Sequence, residues 1–182
     1  MALLESKSLP LGTDLIPFSL PDPDGIIHTA ANYADRKVLV VIFMCNHCPY
    51  VKAVQERLIA LQAGYEQGEV QLIGINSNNA QEYPADSPEN TKKTISEWGI
   101  NFPYLIDESQ EVARAYQAQC TPDIYVFDQD RQLVYHGRID DNWKDPAGVT
   151  QQELKIAIDT LLRGGKPSTD QKPTIGCSIK WK

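Results

Sequence analysis

The strongest pattern in the chain is an unbroken apolar run at residues 38–44, followed by a helical repeat. The run is rich in β-branched residues and too short to cross a membrane, so it predicts a strand buried on both faces of a parallel sheet. From Val51 the apolar positions follow helical spacing, with Val51 and Val54 on one stripe, and we expect a helix to about residue 65. A second apolar run, residues 70–75, completes a βαβ unit. Its crossover should be right-handed, which brings both carboxyl strand ends to one edge of the sheet.

The remaining pattern predicts a mixed α/β domain. Alternation between prolines at residues 16–24, a turn at Asp24-Gly25 and an extended stretch at 26–28 indicate an N-terminal β-hairpin. The other expected elements are a helix opened by Ser87 and Pro88 and closed by Gly99, a strand at 102–106, a helix at 110–118, a hairpin of strands 124–127 and 133–137, and a last helix with a Thr150…Glu153 capping box. The polar segment 76–90 either roofs the sheet edge or is a solvated surface loop.

Two cysteines, Cys45 and Cys48, fall where the buried strand becomes a helix. At a helix start, free backbone N–H groups and the positive end of the dipole favour a thiolate. Pro49 fits, because the first turn makes no use of its missing N–H. A C-x-x-C beside a βαβ pattern indicates redox chemistry, with Cys45 as the attacking thiol and Cys48, one turn further in, as the resolving thiol. Two buried inert cysteines, or half of a zinc site, are the alternatives. The lack of a second C-x-x-C argues against zinc.

Length, charge and the absence of targeting signals limit the expected number of domains, the partners and the compartment. We expect one domain over residues 1–182, with a polar, Pro-containing tail at 166–182. A net charge of -7 disfavours nucleic acid as a partner. The sequence shows no secretion signal and no spanning segment, so the cytoplasm is the expected compartment, where reduced or working thiols are expected rather than a disulfide framework. We expect no metal and no bound cofactor.

The order of elements, with C-x-x-C and a later Thr121-Pro122, resembles the thioredoxin fold. The extra hairpin and the stretch FPYLIDESQEVARAYQAQCTPDIYVFD look like the redoxin branch that includes peroxiredoxins. CNHCPYVKAV, the NSNN…SPEN loop, CTPD and the final GCSIKWK resemble a peroxiredoxin-like (AhpC/TSA-like) subfamily. The resemblance implies a thioredoxin-like fold with a central mixed sheet flanked by helices. It also implies that Pro122 is cis and packs against the C-x-x-C, and that the backbone of Thr121 pairs with a substrate strand.

Departures from these families bear on the chemistry. Met44 replaces the tryptophan that thioredoxins usually carry, and strand 38–43 lacks their buried acid. His47, between the cysteines, resembles the histidine of oxidising members, where it lowers the pKa of the first cysteine. Alternatively His47 only faces solvent. Peroxiredoxins place Thr three residues before the reactive cysteine; here those positions are Ile42 and Cys45. Their peroxidatic motif is therefore absent.

These features predict a thiol-disulfide oxidoreductase with a disulfide substrate and a dithiol electron donor. A peroxide reductase and a noncatalytic redox sensor are the alternatives. Two further cysteines, Cys120 and Cys177, are candidate auxiliary thiols that could relay the disulfide. Alternatively, Cys120 is a small core residue and Cys177 lies idle on a tail that is packed down by Ile179 and Trp181.

Overall fold

The computed structural model of the protein describes residues 3–7, 9–66 and 68–182. Within these ranges the strands are β1 (Leu3–Glu5), β2 (Ser19–Pro21), β3 (Ile27–Thr29), β4 (Val38–Phe43), β5 (Val70–Asn76), β6 (Tyr104–Ile106), β7 (Cys120–Thr121), β8 (Asp123–Phe127), β9 (Leu133–Gly137) and β10 (Ile175–Ser178). The α-helices are α1 (Pro49–Ala63), α2 (Pro88–Trp98), α3 (Glu111–Ala115) and α4 (Glu153–Leu162). None of the helices in the described ranges is long and apolar enough to cross a membrane.

The central sheet has the strand order β6-β5-β4-β8-β9. β4 runs parallel to β5 and antiparallel to β8, so the sheet is mixed, as predicted. β2 and β3 form the predicted N-terminal hairpin. Every residue of β4 is fully buried, because helices and loops cover both faces of the sheet.

Side chains of β4 alternate between two apolar clusters, as the period of two in a strand requires. Val40 and Ile42 pack in a cluster with α1 and α4, which contribute residues such as Leu58 and Ile158. Residues 39, 41 and 43 face the opposite side, in a cluster that includes Tyr116 from beyond α3. The first cluster also contains Cys45, Cys48 and Cys177, so the thiols lie at one end of the layer between the sheet and α1.

Local predictions at the helix ends were mostly confirmed. Ser87 caps α2, with its hydroxyl accepting a hydrogen bond from the Asn90 N–H at 3.2 Å, and Gly99 ends the helix with a φ of 68°. The capping box of α4 was wrong, since the N-cap is Gln152. The Thr150 hydroxyl donates to Asp141 and the Glu153 carboxylate binds Arg138, so neither side chain is left for the cap.

A second, three-stranded sheet has the order β1-β10-β7. Its register places Leu3 opposite Cys177, and Cys177 opposite Thr121. Helix α3 is correspondingly shorter than the predicted helix at 110–118, because the chain re-extends at Cys120 to form β7. The C-terminal tail is therefore anchored as a strand.

Candidate active site

Cys45 and Cys48 lie in the turn that joins β4 to α1, where the sequence placed them. Cys48 is the N-cap of α1, with φ -69° and ψ 122°, and Pro49 occupies the first helical position. The expectation that Cys48 sits one turn inside the helix is corrected by this extended backbone. A capping position directs the Cys48 sulfur towards the free N–H groups of the first turn.

The Thr121–Pro122 peptide bond is cis, as the resemblance implied. Thr121 contacts both thiols of the motif: Cys45 Sγ lies 3.5 Å from the Thr121 hydroxyl oxygen, and Cys48 Sγ lies 3.1 Å from the Thr121 carbonyl oxygen. The fold thus brings together the C-x-x-C and the Thr-Pro pair, which are more than seventy residues apart in sequence.

Hydrogen bonding concentrates negative charge on Cys48. The Cys45 thiol donates to the Cys48 sulfur, and this contact is the main reason that the pKa of Cys48 falls from 9.0 to about 5; burial opposes the shift. The Thr121 hydroxyl and the backbone N–H groups of Val51 and Cys177 lower the pKa further, although the sulfur makes no formal N-cap hydrogen bond. The contact between the Cys48 sulfur and the Thr121 carbonyl oxygen favours the thiol form of Cys48. The hydrogen-bond donors to this sulfur outnumber that one acceptor, so the thiolate is the favoured form of Cys48 at neutral pH.

Cys45 shows the opposite shift. Its hydrogen bond to Cys48, then burial, then the negative charge of Asp86 raise the pKa of Cys45 well above its ordinary value. Two adjacent thiols that share one proton behave as a single titrating unit, in which one sulfur is charged and the other donates to it. The two opposite pKa shifts favour a thiol–thiolate pair, with the negative charge on Cys48 and the proton on Cys45.

His47 contacts the loop above the motif. Its Nδ1 lies 2.6 Å from a carboxylate oxygen of Asp86, and its ring stacks on Tyr83 with centroids 5.6 Å apart. The side chain is 21% exposed, so it is neither free in solvent nor a hydrogen-bond donor to Cys45. The causes of the raised Cys45 pKa are Cys48, burial and Asp86, and the predicted effect of His47 on Cys45 stays a prediction. His47 ties the motif to the loop above it.

Asp86 is the site residue that sequence reasoning missed. Its side chain is fully buried, and its carboxylate accepts hydrogen bonds from the Asn46 backbone N–H and the Asn78 amide, both at 2.8 Å. Burial alone would raise the pKa of Asp86, but the close contact with His47 and the hydrogen bonds from Asn78 and Asn46 outweigh it and lower the pKa. Segment 76–90 is therefore a roof over the motif rather than a solvated loop. The only sequence signal was the position of Asp86, directly before the helix-capping Ser87.

One group of side chains has donor atoms suited to a metal ion. Single donor atoms of Cys45, His47 and Asp86 all lie within 4.8 Å of one another. The contact of His47 with Asp86 already pairs these two groups, and Cys45 donates its proton to Cys48. The arrangement is that of a hydrogen-bonded anchor for the motif.

A buried acid lies beside the site, although the central strand has none. Asp123 follows Pro122 and is fully buried, with His136 Nε2 at 2.8 Å and the Tyr125 hydroxyl donating to it at 3.0 Å. This group was not recognised in the sequence, because Asp123 and His136 lie on neighbouring antiparallel strands and only the register brings them together.

The two auxiliary cysteines differ in position. Cys120 is buried with its sulfur 3.8 Å from the Pro122 carbonyl oxygen, and burial raises the pKa of its thiol far above the ordinary range. Cys177, on β10, lies against Cys48 through both its backbone N–H and its thiol. The backbone edge of Thr121, which the resemblance assigns to a substrate strand, is occupied by the chain's own β10.

Burial of the thiols limits what can reach them. Cys45, Cys48 and Cys120 are free thiols, and Cys45 and Cys48 are 1% and 0% exposed. A substrate disulfide can therefore reach these thiols only after β10 or the roof moves, or when the substrate is small.

Solved structures share this fold. The chain is similar to an uncharacterized conserved protein from Geobacillus kaustophilus, with 47% identity and a TM-score of 0.94 over 100% of this chain and 97% of that one. A hypothetical protein from Sinorhizobium meliloti 1021 is 41% identical, with a TM-score of 0.93 over 98% of both chains.

A more distant likeness is to the thioredoxin domain of a thiol-disulfide oxidoreductase from Bacteroides vulgatus, with 17% identity and a TM-score of 0.61 over 71% of this chain and 89% of that one. At such low identity the likeness shows the fold alone, and it confirms the predicted thioredoxin-like fold. No curated protein matched the sequence. The family model described as AhpC/TSA family matches residues 11–136, more than half of the chain, and the protein therefore belongs to the AhpC/TSA family.

Proposed function

We propose that the protein is a thiol-disulfide oxidoreductase that cycles Cys45 and Cys48 between dithiol and disulfide. The observation that supports this most directly is the placement of both thiols at the β4–α1 junction, where each contacts Thr121 of the cis Thr121–Pro122 peptide. In the thiol–thiolate pair the charge lies on Cys48, which can take the proton of Cys45 as Cys45 attacks a disulfide.

The cycle has two exchange steps. Cys45 attacks one sulfur of the substrate disulfide while its proton passes to the Cys48 thiolate, and the other substrate sulfur leaves as a thiolate. Cys48 then passes that proton to the released substrate thiolate and attacks Cys45 Sγ, so the second substrate sulfur leaves as a thiolate and the Cys45–Cys48 disulfide remains. A dithiol donor reverses the oxidation. No metal or bound cofactor enters the cycle.

The low pKa of Cys48 favours the second half of the cycle, in which the Cys45–Cys48 disulfide oxidises a dithiol. Stabilising a thiolate stabilises the reduced form, which makes the disulfide a stronger oxidant. We therefore expect the Cys45–Cys48 couple to have a reduction potential higher than that of thioredoxin, about -270 mV. Equilibration with glutathione buffers measures the potential.

Trapping experiments test the assignment. Incubated with bis(2-hydroxyethyl) disulfide, a Cys48→Ser variant should hold a stable mixed disulfide on Cys45, because the resolving thiol is gone. A Cys45→Ser variant should not turn over. If Cys45→Ser reduces the disulfide at the wild-type rate, the proposal fails. If only Cys45→Ser accumulates the mixed disulfide, the roles of the two thiols are reversed.

Membership of the AhpC/TSA family supports a second candidate, peroxide reduction. Thr121 does place a hydroxyl 3.5 Å from Cys45 Sγ, but the threonine three residues before the cysteine is missing. Peroxide reduction predicts fast hydrogen peroxide consumption in stopped flow, with a sulfenic acid trapped by dimedone. A third candidate, the redox sensor, predicts negligible turnover in both assays and a partner whose binding depends on oxidation.

A further inference from the structure

The C-terminal strand places a third thiol in contact with the reacting pair. In the β7–β10 pairing Cys177 lies opposite Thr121, the residue that touches both Cys45 and Cys48. Cys177 and Cys48 belong to the same apolar cluster, and each shifts the pKa of the other. Cys48 therefore interacts with both Cys45 and Cys177.

The position of Cys177 is fixed by close backbone packing. A Cβ on the preceding residue, Gly176, would lie 2.1 Å from the Thr121 carbonyl oxygen, so β10 approaches β7 more closely than any other residue allows. On its other edge β10 is held by β1, with Leu3 opposite Cys177. Cys177 is 3% exposed, which shields it from solvent oxidants and leaves Cys48 as its redox neighbour.

The charge on Cys48 decides when Cys177 can react. Burial, followed by the hydrogen bond and negative charge of Cys48, raises the pKa of Cys177 to about 11, while the positive charge of Lys180 lowers it. Cys177 is thus held as a thiol while Cys48 is a thiolate. Once Cys48 is part of a disulfide its charge is gone, and two of the three causes that raise this pKa disappear.

We propose that Cys177 is a third redox-active thiol, which attacks Cys48 Sγ of the Cys45–Cys48 disulfide and carries the disulfide to Cys48–Cys177. This step rests on the proposed function, which supplies the first disulfide from a disulfide substrate. The Cys48–Cys177 bond forms as the Cys45–Cys48 bond breaks, Cys45 leaves as a thiolate, and the proton from Cys177 returns to Cys45. The chain remains oxidised by two electrons throughout. The relay frees Cys45 and bonds β10 to the N-cap residue of α1.

Cys120 is not one of the three interacting thiols Cys45, Cys48 and Cys177. Its sulfur contacts the Pro122 carbonyl oxygen, and it is fully buried. Cys120→Ser is therefore the matched control for Cys177→Ser, since both remove one buried sulfur at a residue of the same sheet.

Trypsin separates the thiols cleanly. Cys45 and Cys48 share the peptide 38–52, Cys120 lies in 115–131, and Cys177 lies in 164–180 because Pro167 and Pro173 block cleavage after the preceding lysines. Wild-type protein is oxidised with bis(2-hydroxyethyl) disulfide, quenched in acid, alkylated in denaturant and digested. We expect a disulfide-linked pair of peptides 38–52 and 164–180 in at least a tenth of the oxidised chains, with alkylated Cys45 identified by fragmentation.

The variants separate the relay from the underlying exchange. Cys177→Ser should lose the linked pair and keep the Cys45–Cys48 disulfide, whereas Cys120→Ser should give the wild-type ratio of the two disulfides within twofold. If wild-type Cys177 is fully alkylated while Cys45 and Cys48 are protected, the relay is overturned and the proposed function stands. If all cysteines are alkylated after exposure to the disulfide, both fail.

Discussion

At the scale of single residues, the proton shared by two sulfurs is the most measurable property of the site. Cys45 is the first cause of the low pKa of Cys48, so Cys45→Ala should raise the Cys48 pKa from about 5 towards its ordinary value. The thiolate absorbance near 240 nm of the reduced protein, followed against pH, gives this pKa directly. Cys120→Ala is the control and should leave the midpoint unchanged. A midpoint near pH 8.5 in the wild type would contradict the thiol–thiolate pair.

Asp86 holds the motif in place through a buried charge. Asp86→Asn keeps the shape but removes the charge that accepts from Asn46, Asn78 and His47, and we expect it to lower the free energy of unfolding at pH 7 by about 2–4 kcal/mol. Urea unfolding measures the loss. Glu108→Gln, at a side chain 82% exposed, is the control and should cost less than about 0.5 kcal/mol.

The stability of Asp86→Asn should also depend on pH differently from that of the wild type. Because the pKa of Asp86 is lowered in the folded protein, its contribution is complete above the unfolded carboxyl pKa and is lost as pH falls through the lower, folded value. Between about pH 5 and pH 2 the wild type should therefore lose more stability than Asp86→Asn does. If the free energy of unfolding falls equally with pH in the two proteins, Asp86 is not charged in the folded state.

At the scale of elements, β10 controls access to the thiols. Gly176→Ala places a methyl group 2.1 Å from a backbone oxygen that cannot move aside, so the strand must shift away from β7. We expect iodoacetamide to alkylate Cys48 at least tenfold faster in this variant under native conditions. Gly64→Ala, whose added Cβ would lie 3.4 Å from its nearest neighbour at the end of α1, is the control. Equal rates in all three proteins would mean that another element covers the site.

Sequence patterns predicted the central elements because their signals are local. The apolar run of β4, the Pro49 start of α1 and the Ser87 cap of α2 each show in a few adjacent residues. β10 has no such signal: four residues of mixed polarity pair with a two-residue strand more than fifty positions earlier. Register and tail docking depend on long-range packing, which one sequence does not display.

The candidate site was predicted only in part for the same reason. Cys45 and Cys48 were recognisable as a motif, and Pro122 by resemblance. Asp86 was not, because a buried carboxylate in a polar loop looks like a surface residue until the donors around it are known.

At the scale of the whole molecule, the redox state should change stability in a pH-dependent way. A thiol whose pKa falls from 9.0 to about 5 stabilises the reduced fold by about 3 kcal/mol at pH 7. Closing the four-residue loop of the C-x-x-C stabilises the oxidised fold by about 2 kcal/mol in the chain-entropy estimate. The reduced protein should therefore be more stable at pH 7, by about 1 kcal/mol.

In acid the oxidised protein should become the more stable of the two forms. The thiolate contribution is complete above the unfolded thiol pKa and is lost as pH falls through about 5, whereas the loop effect does not titrate. Denaturant unfolding of both redox forms at pH 7 and pH 5 checks this, with Cys177→Ser as background so that only one disulfide can form. An oxidised form that is the more stable at pH 7 would contradict the low pKa of Cys48.

The burial of all four sulfurs bears on how the oxidation state is read from intact protein. Cys45, Cys48, Cys120 and Cys177 are each 3% exposed or less. A colorimetric thiol count with Ellman's reagent, which is itself a disulfide, will rise only slowly without denaturant, because the reagent reaches the sulfurs only as β10 or the roof moves. An early native reading therefore undercounts the reduced cysteines, and only a count taken after unfolding tells a sealed thiol from a bonded one.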